Sequence, residues 1–144
     1  MKQLTDADIF NPDFQLIPIE DISKGYLFGD EAYVEQLAAD GELGAVRING
    51  VTLITPWSYY AYTLPYVNLD VLIFGLDFFF GYLDKDYFNI YDIADKLHLP
   101  DETVAELFNE GHLRPYIKGG EIVCTVRDFF VFIRSLEGKE ELFV

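Results

Sequence analysis

Along residues 90–136 the apolar positions fall into three runs at helical spacing. Ile93, Ala94 and Leu97 form the first, Val104, Leu107 and Phe108 the second, and Phe129, Phe132 and Ile133 the third. A recurrence every three to four residues is what one buried face of a helix requires. Leu99-Pro100 breaks the pattern between the first two runs. Pro100 suits the first turn of a helix, and Asp101 and Glu102 suit its positive end. Gly111 closes the second helix, because glycine tolerates φ > 0. Tyr116–Lys118 and residues 122–125 read as short strands around Gly119-Gly120, a hairpin turn signal. Asp128 then opens the third helix. The predicted order is helix, turn, helix, two-stranded hairpin, helix.

The first half of the chain repeats this pattern. Val34, Leu37, Gly41 and Leu43 match Val104, Leu107, Gly111 and Leu113 at a constant offset of 70 residues. Asp40 pairs with Glu110, Gly50 with Gly120, and Thr55 with Thr125. The opening Asp21-Ile22-Ser23 matches Asp92-Ile93-Ala94 at an offset of 71, so one turn differs by a residue. Residues 46–48 and Val51–Ile54 form the hairpin around Asn49-Gly50, a strong type I′ signal. A helix follows from about Pro56, carrying Trp57, Tyr59, Tyr60 and Tyr62. Self-similarity at a fixed period points to two copies of one unit.

The C-terminal copy resembles the excisionase-type branch of the MerR-like helix-turn-helix superfamily. The residues that carry the resemblance are Asp92-Ile93-Ala94, Glu102-Thr103-Val104, Gly111-His112-Leu113-Arg114-Pro115, Gly119-Gly120 and Arg127-Asp128. The resemblance implies a winged helix-turn-helix that binds DNA, with its second helix in the major groove and its wing on the backbone. The expected fold is mainly α with small β wings (α+β). Two tandem winged helix-turn-helix modules, residues 20–64 and 90–144 with a short tail, follow an N-terminal arm over residues 1–19. An apolar, aromatic-rich helix within residues 65–89 joins them.

That joining segment, from Val71 to Leu83, is apolar on nearly every side, with Asp70, Asp77 and Asp84 recurring every seven residues as one polar stripe. A helix of this composition is expected to be buried on most sides, between the modules or against a second copy in a homodimer. It is too short to span a bilayer.

Charge changes the functional picture. The net charge is −15, although 51% of residues are hydrophobic and 17% aromatic. The chain is therefore a folding sequence rather than an acidic tail. Phosphate-backbone binding depends on Lys and Arg displacing counterions, which this balance opposes. The conflict is sharpest in the two second helices. One carries Asp30, Glu31 and Glu35, the other Asp101, Glu102, Glu106 and Glu110, and neither has a Lys or Arg. Those seven acids are the expected contacts for a basic protein partner. In its sharpest form the expectation is a DNA mimic occupying a nucleic-acid-binding protein, as phage anti-restriction and anti-CRISPR proteins do. The DNA-binding alternative, a transcriptional regulator or excisionase-like factor, rests on Arg47, Arg114, Lys118 and Arg127. Trp57, Tyr59, Tyr60 and Tyr62 could supply stacking. A homodimeric adaptor held through residues 71–83 is the third alternative.

No active site is expected. His98 and His112, the only histidines, fall at a turn and beyond a helix end. No nucleophile turn or glycine-rich phosphate loop is present. Asp84-Lys85-Asp86 resembles a fragment of a calcium loop but lacks the remaining ligands. Asp70, Asp77 and Asp84 lie about 10.5 Å apart along a helix, too far for one metal. No cofactor is expected. The single cysteine, Cys124, excludes an internal disulfide and fits a reducing cytoplasm.

Overall fold

The computed structural model describes residues 3–26, 29–83 and 86–144. The fold is α+β, with two three-stranded antiparallel sheets among its helices. In the first half, α1 (Asp6–Ile9) precedes β1 (Ile17–Pro18) and α2 (Ile19–Asp21), which continues as a π-helical turn, Ile22–Tyr26. Then come α3 (Glu31–Ala39), β2 (Ala45–Ile48), β3 (Val51–Ile54) and α4 (Pro56–Thr63). Helix α5 (Leu69–Tyr82) leads to the second half: β4 (Tyr87–Asn89), α6 (Ile90–Leu97), α7 (Asp101–Asn109), β5 (Tyr116–Lys118), β6 (Glu121–Thr125) and α8 (Val126–Leu136). The sheet orders are β1-β3-β2 and β4-β6-β5, so the two halves share one topology.

The repeat extends to individual hydrogen bonds. Gly41 (φ 78°) ends α3 and Gly111 (φ 82°) ends α7. Beyond them, the Glu42 amide reaches Leu37 O at 2.9 Å and the His112 amide reaches Leu107 O at 2.9 Å. These are the paired closures of a Schellman-type end, where the left-handed residue lets the chain turn back onto the last carbonyls. Both hairpins turn through two residues of positive φ, Asn49-Gly50 and Gly119-Gly120, as type I′ geometry demands. The one-residue difference in offset also has a structural place. Pro18 pairs with Leu53 and Asn89 with Val123, which puts the opening strand and helix at an offset of 71. The extra residue of the first half therefore falls between its first two helices. That stretch opens with the π-helical turn, a geometry that takes up about one additional residue. Leu27 and Phe28 lie outside the described residues.

The hydrophobic pattern predicts the hairpins but not their third strands. β1 lies in what reads as an arm, and β4 occupies the end of the segment expected to be linker helix.

The two halves are not beads on a string. The sheet of the first half is buried on both faces. Ile17, Ala45 and Ile54 face a small cluster with Ile22, Val34, Leu43 and Tyr59. Val46, Ile48 and Leu53 face a large cluster that runs on through Trp57, Leu76 and Phe80 to Phe88, Ile93, Leu107 and Phe129 of the second half. The arm is part of this seam: Phe14 packs on Trp57 (5.3 Å between ring centroids), Phe80 (5.4 Å) and Phe129 (5.7 Å). Tyr60 donates a hydrogen bond to the Asp6 carboxylate, which pushes the Tyr60 hydroxyl up to about 12.

A polar contact ties α8 to α4. Glu137, just beyond α8, accepts from Trp57 Nε1 at 2.9 Å and from Arg134 at 2.9 Å. Its carboxylate fills the space where a Cβ at Gly44 would stand. Lys96 is buried beside this seam, 3.3 Å from Phe14 O and 4.6 Å from the centre of the Phe88 ring. Burial lowers its ammonium pKa, and Asp13 partly offsets this.

The C-terminal tail returns to the first half. Leu142 bridges Ile48 in parallel, donating to Arg47 O (2.9 Å) and accepting from the Asn49 amide (3.0 Å). The tail thereby covers the open edge of β2, which would otherwise present unpaired backbone groups.

Cys124 lies in the shared core. Burial, with a smaller contribution from Asp128, pushes its thiol up to about 12. Because only a thiolate reacts, native protein at pH 8 should resist alkylation and become labelled only on unfolding. Rapid labelling of native protein, read by mass spectrometry, would contradict this placement.

Candidate acidic interaction surface

Helix α7 is amphipathic in the simplest sense. Val104, Leu107 and Phe108 point into the core. The same periodicity turns Glu102, Glu106 and Glu110, spaced by four residues, to the opposite side, where all three are exposed. At a rise of 1.5 Å per residue, they form a row of carboxylates about 6 Å apart. Asp101 and Glu102 occupy the first turn, where the helix dipole favours negative charge. Glu106 accepts from Asn109 at 3.5 Å, and Glu110 lies 3.4 Å from His112 Nε2. A hollow of about 480 Å³ opens beside this row, walled by Tyr91, Asp101, Glu102, Ala105, Glu121 and Ile122. The hairpin thus adds Glu121 to the acids of the helix.

The acids of α3 are employed differently. Asp30 caps the helix, accepting from the Tyr33 amide at 2.8 Å. Glu35 pairs with Arg47 at 3.3 Å. Glu31 is exposed and lines a hollow with Glu20, Glu35 and His98. The hairpin of the first half is also occupied. Val144 and Asn49 exchange hydrogen bonds, and Gly50 donates to Glu141. An acidic tail therefore lies against the tip of the first hairpin.

Of the four cations expected to serve DNA, two are paired with carboxylates and two lie over neighbouring tyrosine rings, Tyr87 and Tyr116. Arg47 is neutralised by Glu35. Arg127 grips Asp77 through Nε (3.3 Å) and Nη2 (3.2 Å). Arg114 lies over the Tyr116 ring and Lys118 over the Tyr87 ring, at 5.3 and 4.2 Å. The expected stacking residues are largely covered. Trp57, Tyr59 and Tyr60 are buried, so none presents a face to a base. Tyr62 is half-buried beside Tyr33.

No protein-family model, curated protein or solved structure matches this chain.

Among the described residues no group of three or more His, Cys, Asp or Glu could hold a metal ion, and no helix is long and apolar enough to cross a membrane. Asp77 is engaged with Arg127. Asp84 and Lys85, which complete the seven-residue stripe and the calcium-loop fragment, lie outside the described residues.

Within one copy of the chain, the expected burial of the joining helix between the modules is not found. Helix α5 is not buried on most sides: only Leu76 and Phe80 are buried, whereas Val71, Phe74, Phe78 and Tyr82 stand exposed. An almost wholly apolar sequence carries no record of which face is covered, so periodicity could not find this stripe. The tail on the first hairpin is equally silent in the sequence, because backbone pairing by residues 142–144 demands no particular side chain.

Proposed function

We propose that this protein is a non-enzymatic binding protein built from two winged helix-turn-helix units, whose α7 face engages a basic protein. The observation that carries the reading is the row Glu102, Glu106 and Glu110, exposed on the helix that this scaffold would lay in the major groove. The order of strand, two helices, hairpin and helix, with the first strand added beside the hairpin, supports the scaffold assignment. Carboxylates at that position repel phosphates and attract Lys and Arg. In its sharpest form the protein is a DNA mimic that fills the DNA site of a nucleic-acid-binding protein.

The direct alternative, DNA binding, is tested by fluorescence anisotropy with random-sequence duplex DNA at low salt. No saturable binding is expected. Binding that weakens linearly with the logarithm of salt concentration would restore the DNA-binding reading.

A further inference from the structure

Helix α5 presents Val71, Phe74, Phe78 and Tyr82 on one stripe, at 68%, 77%, 71% and 80% exposure. Leu76 and Phe80 occupy the opposite face and hold the helix to the shared core. The stripe is edged by Phe10, whose ring packs edge-on against Phe79 at 5.8 Å, and by the Asp77–Arg127 pair. Gly81 lets that arginine lie across the helix, since a Cβ there would stand 3.3 Å from Arg127 Cδ.

We infer that this face joins two copies of the chain as an antiparallel helix pair about a two-fold axis near Asp77. Three observations favour a second copy. The first is area. At about 200 Å² for each aromatic side chain, the stripe with its Phe10 flank offers roughly 600 Å². That is at the upper limit of apolar patches on monomers, and two such faces bury roughly 1,200 Å², enough for a specific interface.

The second observation is self-complementarity. Antiparallel pairing about residue 76 sets Phe74 opposite Phe78 of the other copy, and Val71 within one residue of Tyr82. Small thus meets large at both ends, as an isologous interface requires. A hollow lined by Phe74, Asp77, Phe78, Gly81, Tyr82 and Arg127 lies on the same face and can receive a ring from the partner.

The third is charge. Two molecules of net charge −15 repel each other, so they associate where the surface is least charged. The stripe itself carries no charge, and of the carboxylates along its edge Asp77 is matched by Arg127 while Asp70 stands exposed at the start of the helix. Across the axis each Arg127 also comes near the other copy's Asp77.

This inference does not rest on the acidic-surface reading, and salt separates the two. Contact between α7 and a basic partner weakens as salt rises, whereas association through α5 strengthens, because screening removes the repulsion between copies. The experiment is sedimentation equilibrium of the full chain at low and high salt. A dimer that tightens with salt is expected. Phe74→Glu with Phe78→Glu should raise its Kd more than about 100-fold and leave the far-ultraviolet circular dichroism of the chain unchanged, since both rings are exposed in a single copy. Orientation is read from Phe74→Cys and Phe78→Cys made as separate variants: an oxidised mixture should cross-link, and each variant alone should not. A chain that is monomeric at both salts overturns the inference and leaves the stripe to another protein. So does a dimer that the double variant leaves intact. Cross-linking of each cysteine variant with itself overturns the antiparallel arrangement.

Discussion

Replacing Trp57 by alanine should destabilise the whole chain by about 3–5 kcal/mol, and both repeats should still unfold in one transition. Trp57 is fully buried at the start of α4, yet its neighbours come from elsewhere in the chain. Phe14 of the arm packs on it at 5.3 Å and Phe130 of α8 at 5.0 Å. Its indole N–H is a donor to Glu137 beyond α8, which would keep Arg134 and the more distant Thr55 hydroxyl. Removing the ring opens a cavity at the seam and deletes a polar tie across it. A loss of this size is a large fraction of the 5–15 kcal/mol that holds a typical domain together. Denaturant unfolding followed by circular dichroism, with hydrogen exchange on each half, reads both effects. Two separated transitions, or lost protection confined to the first repeat, would show that the shared core does not couple the halves.

Reversing Glu102, Glu106 and Glu110 to lysine should have the opposite profile, with little effect on folding and a large one on binding. All three side chains are exposed, and none contributes to the core. A lysine at the first turn opposes the helix dipole and one at the last turn complements it, so the net change in stability should stay within about 1 kcal/mol. Each reversal turns an attraction into a repulsion at a basic surface. Together they should cost about 3–4 kcal/mol, a loss of affinity of roughly 10²–10³-fold. Thermal melting checks the first expectation, and binding at constant salt checks the second. A folded triple variant that keeps its affinity would remove α7 from the interface.

The distribution of charge explains why α7 rather than α3 is the better candidate. From sequence the two helices look equally acidic. In the structure Asp30 serves as a cap and Glu35 pairs with Arg47, while the hairpin beside α3 is covered by the tail. Composition counts charges, but their use depends on side chains that meet only after folding. The same holds for Arg127, which reads as a cation before the last helix and turns out to be the partner of Asp77, fifty residues away.

What the sequence does disclose is local. Helix spacing, glycines of positive φ and the two hairpin turns are set by neighbouring residues, and each is found at its expected place; Pro100, expected in the first turn of α7, stands one position earlier as its N-cap residue. The third strands are not local. Ile17–Pro18 and Tyr87–Asn89 are too short to show alternation, and they become strands by pairing with β3 and β6. The fate of α5 is less local still. Its apolar residues are almost uniform around the helix, so only the packing of α4, α8 and the arm decides which stripe stays uncovered.

The most direct test of the acidic-surface reading is capture on the immobilised chain from cytoplasmic extract, at low and high salt, with labelled random duplex DNA as competitor. The expected result is retention of a basic nucleic-acid-binding protein that high salt releases, that DNA displaces, and that the Glu102, Glu106 and Glu110 triple variant fails to hold. Retention of the labelled DNA by the chain itself, or capture indifferent to salt, DNA and the triple reversal, would contradict it.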